Sequence, residues 1–95
     1  MSREHVVTQR DVVRYLEDLN DLRNSTGTLR ARLTKVDTNR VIYEVYSYAE
    51  LIARLEYVDN VLTMKWITDK KWSVTTSKHT GFVRRAFQEL VVTTP

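Results

Sequence analysis

The chain has 95 residues, 42% of them hydrophobic and 28% charged, with a formal net charge of +3, two Gly, one Pro and no Cys. That length suits a single domain spanning residues 1–95, since independent domains rarely fall below about 50 residues. The lack of Cys excludes disulfides, thiolate metal sites and cysteine nucleophiles. No apolar run approaches the roughly 20 residues of a membrane span, and the start Met1–Val7 lacks a signal-peptide core, so a soluble cytoplasmic protein is expected.

Thr8 to Asn24 carries Val12, Val13, Leu16, Leu19 and Leu22 at helical spacing, with Arg14, Glu17, Asp18 and Asp21 largely outside that stripe. This pattern predicts an amphipathic helix, with Thr8 as N-cap and Asn24-Ser-Thr-Gly27 as its stop. From Thr28 the period changes to two. Leu29, Ala31 and Leu33 alternate with Arg30, Arg32 and Thr34, the mark of a half-buried strand with a basic outer face.

Asp37-Thr-Asn39 reads as a turn, followed by strands at Val41–Tyr48 and Leu51–Tyr57. Asp59-Asn60 signals a tight hairpin, because both residues tolerate positive φ. Val61–Thr68 and Trp72–Thr76 read as the last two strands, joined through Asp69-Lys-Lys71, and Lys78 to Leu90 or Val91 as a closing helix with Phe82, Val83, Ala86, Phe87 and Leu90 inward. The expected fold is α+β: an antiparallel meander of about five strands flanked in sequence by an N-terminal and a C-terminal helix.

The junction Thr75-Thr-Ser-Lys-His79 is the most informative stretch, because a strand is expected to feed a basic helix there through a run of hydroxyls. Two readings compete. In one, Thr76 or Ser77 caps the helix and His79 has a structural role on the apolar side. In the other, Ser77, Lys78 and His79 hold an anion on the free N–H groups of the helix start.

Other chemistries lack their residues. His5 and His79 are the only histidines, and neither has a metal-ligating partner one helical turn on. Gly27 and Gly81 are too far apart for a phosphate-cradling loop, and no nucleophile-elbow sequence surrounds Ser73 or Ser77. No cofactor, no metal and no enzymatic activity are expected.

Val41-Ile-Tyr-Glu-Val-Tyr-Ser-Tyr-Ala-Glu-Leu-Ile-Ala53, followed by Trp72-Ser-Val-Thr-Thr-Ser-Lys-His79, resembles a small uncharacterised domain recurrent in phages and mobile elements. That domain similarly has a Tyr-Ser-Tyr strand and a Ser-Val-Thr-Thr-Ser-Lys-His segment. The resemblance covers residues 41–80; where that domain has Gly-Thr after Tyr-Ser-Tyr, this chain has Ala49-Glu50. It implies a phage origin, hence the host cytoplasm, and carries no activity over.

Charge is concentrated at the C-terminal end: residues 62–95 hold six basic and two acidic groups. Lys70, Lys71, Lys78, Arg84 and Arg85 therefore form the expected nucleic-acid-binding patch on the last hairpin and helix, with Tyr43, Tyr46, Tyr48, Trp66 and Trp72 as stacking surface or core. The alternative is a protein-interaction module binding a host or phage protein, or a second copy of the chain, through a sheet face or edge left uncovered by two short helices.

Overall fold

The computed structural model describes residues 5–8, 10–70 and 74–92. Among them are six strands and two helices: β1 (His5–Val7), α1 (Val12–Glu17), β2 (Leu22–Asn24), β3 (Leu29–Lys35), β4 (Arg40–Ser47), β5 (Glu50–Val58), β6 (Val61–Ile67) and α2 (Val74–Phe87). The strands form one sheet in the order β1-β2-β3-β4-β5-β6, so every strand lies beside its neighbour in sequence. All pairings are antiparallel except β1 with β2, which run parallel. The meander expected from short links holds from β2 onward; the parallel pair needs the long crossover that α1 supplies.

The first helix is the largest departure from the expected architecture. It spans Val12–Glu17 rather than Thr8–Asn24, and it lies between two strands instead of preceding the sheet. Leu19 closes it in the left-handed conformation with φ 55°. There the Leu19 amide donates to Leu16 and the Asn20 amide to Tyr15, the paired bonds of a Schellman stop. A leucine normally resists that conformation, so the stop has no glycine signal in the sequence. Tertiary pairing enforces it: Leu22 leaves the helical stripe to sit opposite Ala31 and His5 in the sheet. Thr8 is not the N-cap. Asp11 occupies that position without a side-chain cap bond, and the Thr8 hydroxyl donates to the Asp11 carboxylate at 3.2 Å.

Asp59 and Asn60 both have positive φ, 53° and 65°, and join β5 to β6 in the expected tight turn. At the far end, Val74, Thr75 and Thr76 belong to α2 rather than to a strand. Their β-branched side chains favour extended structure locally, but the Thr80 hydroxyl satisfies the Thr76 carbonyl at 3.0 Å, a helix-compatible use of threonine. The remainder of that expected strand, Trp72 and Ser73, lies outside the described residues.

Both helices cover the same face of the sheet. Val12 and Leu16 of α1 and Val83 and Phe87 of α2 share one core with Leu22, Leu29, Ala31, Tyr43, Val45, Ile52, Ala53 and Leu55. Leu19, Phe82 and Ala86 pack against that core half-buried. Tyr43 sits in the middle. It is fully buried, donates its hydroxyl to the Asn20 carbonyl at 2.7 Å, and meets Phe87 edge-on, so it is core and offers no stacking surface. Burial, with a smaller contribution from Asp21, pushes its phenol far above the usual range.

Two bulges re-aim side chains. On β5, Val45 pairs with Ala53 and Tyr46 with Leu51, leaving Ile52 as the extra residue, so Ile52 and Ala53 are both buried. On β6, Tyr57 pairs with Leu62 and Glu56 with Met64, leaving Thr63 extra. A bulge reverses the alternation beyond it. Leu62 therefore faces the core while Met64 and Trp66 face away, although the sequence puts all three in phase. Lys65 then points inward, and its ammonium donates to the Phe87 and Leu90 carbonyls at 2.5 and 3.0 Å, closing the C-terminus of α2.

Candidate functional site

With both helices on one side, the other side of the sheet has no helical cover among the described residues. Strand alternation assigns it Arg23 of β2, Arg30 and Arg32 of β3, Arg40, Ile42, Glu44 and Tyr46 of β4, Arg54 and Glu56 of β5, and Met64 and Trp66 of β6. Register places these in transverse rows. Arg23 stands opposite Arg30, and Arg30 opposite Tyr46; one row on, Arg32, Glu44, Arg54 and Trp66 follow one another across four strands. Five of the chain's ten arginines and none of its lysines lie in these positions, against two glutamates.

Arg40 pairs with Glu56. The Nε atoms of Arg40 and Arg54 are shielded from solvent and have no hydrogen-bond partner among the described residues. A buried donor without an acceptor is costly and marks a place where an acceptor is accommodated. Tyr46 hydrogen-bonds Glu44, and its phenol is raised by burial first and then by that carboxylate, with Arg54 acting in the opposite sense.

At one end this face deepens into a groove of about 710 Å³ lined by Arg30, Arg32, Glu44, Tyr46, Tyr48 and Asp21, among others. Tyr48 has φ 56°, its amide is held by the Thr28 carbonyl at 2.7 Å, and its ring is 52% exposed. A non-glycine residue in this region carries strain, and strained residues concentrate where the backbone must present a side chain. The Tyr48-Ala49 turn thus displays an aromatic ring at the mouth of an arginine-lined groove.

A second constellation lies under the helices, where the end of β4 meets α2. Ser47, at the end of β4, bonds His79 Nδ1 at 2.7 Å and donates to the Thr76 hydroxyl at 3.1 Å. All three side chains are buried. With the Ser47 hydrogen directed to Thr76, the Ser47 oxygen accepts from Nδ1–H, which leaves His79 Nε2 as an acceptor. Burial, and then the neighbouring Lys78 charge, lower the His79 pKa and keep the ring neutral. Ser47 has no solvent exposure, and through these two bonds the three side chains tie the end of β4 to α2.

The residues singled out in the sequence are dispersed. Lys70 is exposed in the segment after β6; Lys71 lies outside the described residues. Arg84 reaches back to the Thr68 carbonyl at 3.4 Å, whereas Arg85 borders a groove between the helices with Val13 and Glu17. Lys78 and Arg85 are seven residues apart, two turns along one stripe of α2. Lys78 and His79 line a cavity near β1 and the β2–β3 turn that does not include Ser77.

Since α2 already includes Val74, neither Thr76 nor Ser77 is its N-cap, and the Lys78 and His79 amides fall beyond the first four helical residues. In the sequence, Arg30 and Arg32 stand out as a basic strand face with no role attached. Their signal is the alternation with Leu29, Ala31 and Leu33. Tyr48 has no such signal, because nothing in a Tyr-Ala pair announces positive φ.

Among the described residues, no helix is long and apolar enough to cross a membrane, and no three His, Asp or Glu side chains converge as metal ligands. Comparison of the chain with family models, with curated proteins and with solved structures gave no match.

Proposed function

We propose that the protein is a binding module that takes single-stranded nucleic acid on its uncovered sheet face. The observation that carries this reading is the row order of that face, in which one arginine-bearing row ends beside Tyr46 and the next beside Trp66, near the displayed ring of Tyr48. Guanidinium groups pair with phosphates in a forked geometry and stack on bases, while Tyr and Trp stack on any base, so binding of this kind tolerates sequence. The C-terminal cations Lys70, Lys78, Arg84 and Arg85 then contribute general attraction rather than the contact surface. In this reading the protein is a non-enzymatic accessory module of a phage or mobile element, following the resemblance of residues 41–80.

A protein partner is the second reading, favoured by Glu44 and Glu56 standing among the arginines on the same face. Arg, Tyr and Trp anchor protein interfaces as well, and interspersed charge of both signs suits a protein surface better than a polyanion. Fluorescence anisotropy with a labelled mixed-sequence single-stranded oligonucleotide, titrated at several salt concentrations, separates the two. Binding that weakens steeply with salt and is weaker and less salt-dependent in Arg30→Glu/Arg32→Glu supports the nucleic-acid reading. No binding at low salt by the folded wild type removes it and leaves the protein-interaction reading.

A further inference from the structure

The cavity near the start of α2 is on the helical side of the sheet, away from the proposed nucleic-acid face, and has about 490 Å³ of space. Its floor is apolar, formed by Val7, Val12, Leu29 and Phe82 from four different segments of the fold. The β2–β3 turn walls one side and is internally braced: Asn24 donates to the Thr28 hydroxyl at 2.8 Å and accepts from the Leu29 amide at 3.1 Å. Gly27, at φ 74°, makes that turn possible. The wall is therefore preformed, as ligand sites generally are.

The Lys78 ammonium and the second ring nitrogen of His79 take no part in the Ser47–Thr76–His79 network. Among the described residues, Lys78 is the only charged side chain in the lining and has no ion-pair partner. His79 is 4% exposed; with Nδ1 committed to Ser47, its Nε2 is the ring nitrogen left over, and it has no hydrogen-bond partner among the described residues. A fixed acceptor beside a cation, above an apolar floor and with no carboxylate among the described lining residues, is a complementary set for one kind of molecule.

We propose that this cavity binds a small organic anion bearing an apolar body and a hydrogen-bond donor: the body on Val12, Leu29 and Phe82, the charge at Lys78, and the donor on His79 Nε2. Loss of ordered water from the floor drives entry, Lys78 selects the sign of charge, and His79 selects a hydroxyl or amide hydrogen over its absence. The ring stays a neutral acceptor because protonating it would place a second positive charge beside Lys78 in a buried position.

The test is a titration of the intact ¹⁵N-labelled chain, followed by amide NMR, with benzoate, 3-hydroxybenzoate, 4-hydroxybenzoate and inorganic phosphate. At least one hydroxybenzoate should give saturable shifts confined to 6–8, 24–29 and 75–82, with benzoate weaker by about tenfold, the order expected when a ligand hydrogen bond to the ring nitrogen is lost. Inorganic phosphate should give no saturable shift there. Lys78→Met should weaken the best probe by about tenfold while the spectrum otherwise remains that of the folded protein. His79→Phe, if folded, should bind benzoate and its hydroxylated forms equally. Should His79→Phe fail to fold, Lys78→Met and the wild-type ranking of benzoate against its hydroxylated forms carry the test. Absence of saturable shifts with every probe, equal binding of benzoate and both hydroxybenzoates by the wild type, or unchanged affinity in Lys78→Met would overturn the proposal. Because His79 is buried on the helical side of the sheet, folded His79→Phe should keep oligonucleotide binding whichever result is found.

Discussion

Ser47 Oγ and His79 Nδ1 lie 2.7 Å apart and join the end of β4 to α2 across 32 residues of chain. Both groups are buried, so each depends on the other for satisfaction. Ser47→Ala leaves the Nδ1–H without an acceptor and should destabilise the fold by about 1–3 kcal/mol, measured by chemical denaturation. If the substitution proves neutral, the ring has another acceptor and the network is not what fixes α2 on β4.

The same pair implies a pH dependence. The folded-state pKa of His79 lies below its ordinary value of 6.5, through burial and the Lys78 charge. The unfolded chain therefore takes up a proton at a higher pH than the folded one, so stability is fully present above about pH 6.5 and falls as the pH drops towards the folded-state value. His79→Gln should flatten that part of the stability–pH curve. An unchanged slope between about pH 7 and about pH 5 would show that other groups are responsible.

Core substitutions should separate sharply from surface ones. Phe87 and Leu16 have no solvent exposure, and Phe87 meets Tyr43 at 6.2 Å between ring centroids. Replacing either by Ala should cost about 2–5 kcal/mol. Arg84→Ala removes only a long bond to the Thr68 carbonyl from an exposed side chain and should cost about 0.5 kcal/mol or less. Denaturation midpoints that rank all three together would contradict this placement of α2.

Tyr48 offers a trade-off between strain and recognition. Glycine at φ 56° relieves the strain, so Tyr48→Gly should raise stability by up to about 1 kcal/mol, while removing the ring should weaken oligonucleotide binding by about 1–3 kcal/mol. Melting temperature and anisotropy measured on one preparation check both. Stability and binding moving in the same direction would count against a presenting role for this turn.

On the open face, Arg30→Glu/Arg32→Glu should reduce both affinity and the steepness of its salt dependence. Every arginine–phosphate pairing that is removed lowers the slope by about one unit, because one fewer counterion is released on binding. Lys78→Glu/Arg85→Glu, on α2, should leave the slope nearly unchanged. The opposite ranking would return the contact surface to the C-terminal helix.

How far the sequence can be read depends on whether the deciding interaction is local. The Asp59-Asn60 hairpin and the Leu29–Leu33 alternation are legible because turn chemistry and a period of two act within a few residues. Leu22 reads as helical yet is a strand residue, because its partners, Ala31 and His5, are distant in the chain or on a three-residue strand too short to show a period. Trp66 is ambiguous for a related reason. A single extra residue at Thr63 reverses inside and outside, and composition gives no warning of it. The candidate site follows suit: Lys78 and His79 share a cavity as neighbours on one helix, but the arginine face emerges only once four strands are in register.

The two outer strands of the sheet have a further consequence for the behaviour of the protein in concentrated solution. β1 has three residues, and β6 is broken by the Thr63 bulge while its Lys65 is turned inward to hold the end of α2. Short length, a bulge and an inward charge each make a strand a poor template for the backbone of another molecule. A chain rich in β-branched and aromatic strands is thereby protected from growing into fibrillar stacks, and the anchoring of one helix end and resistance to aggregation rest on the same lysine.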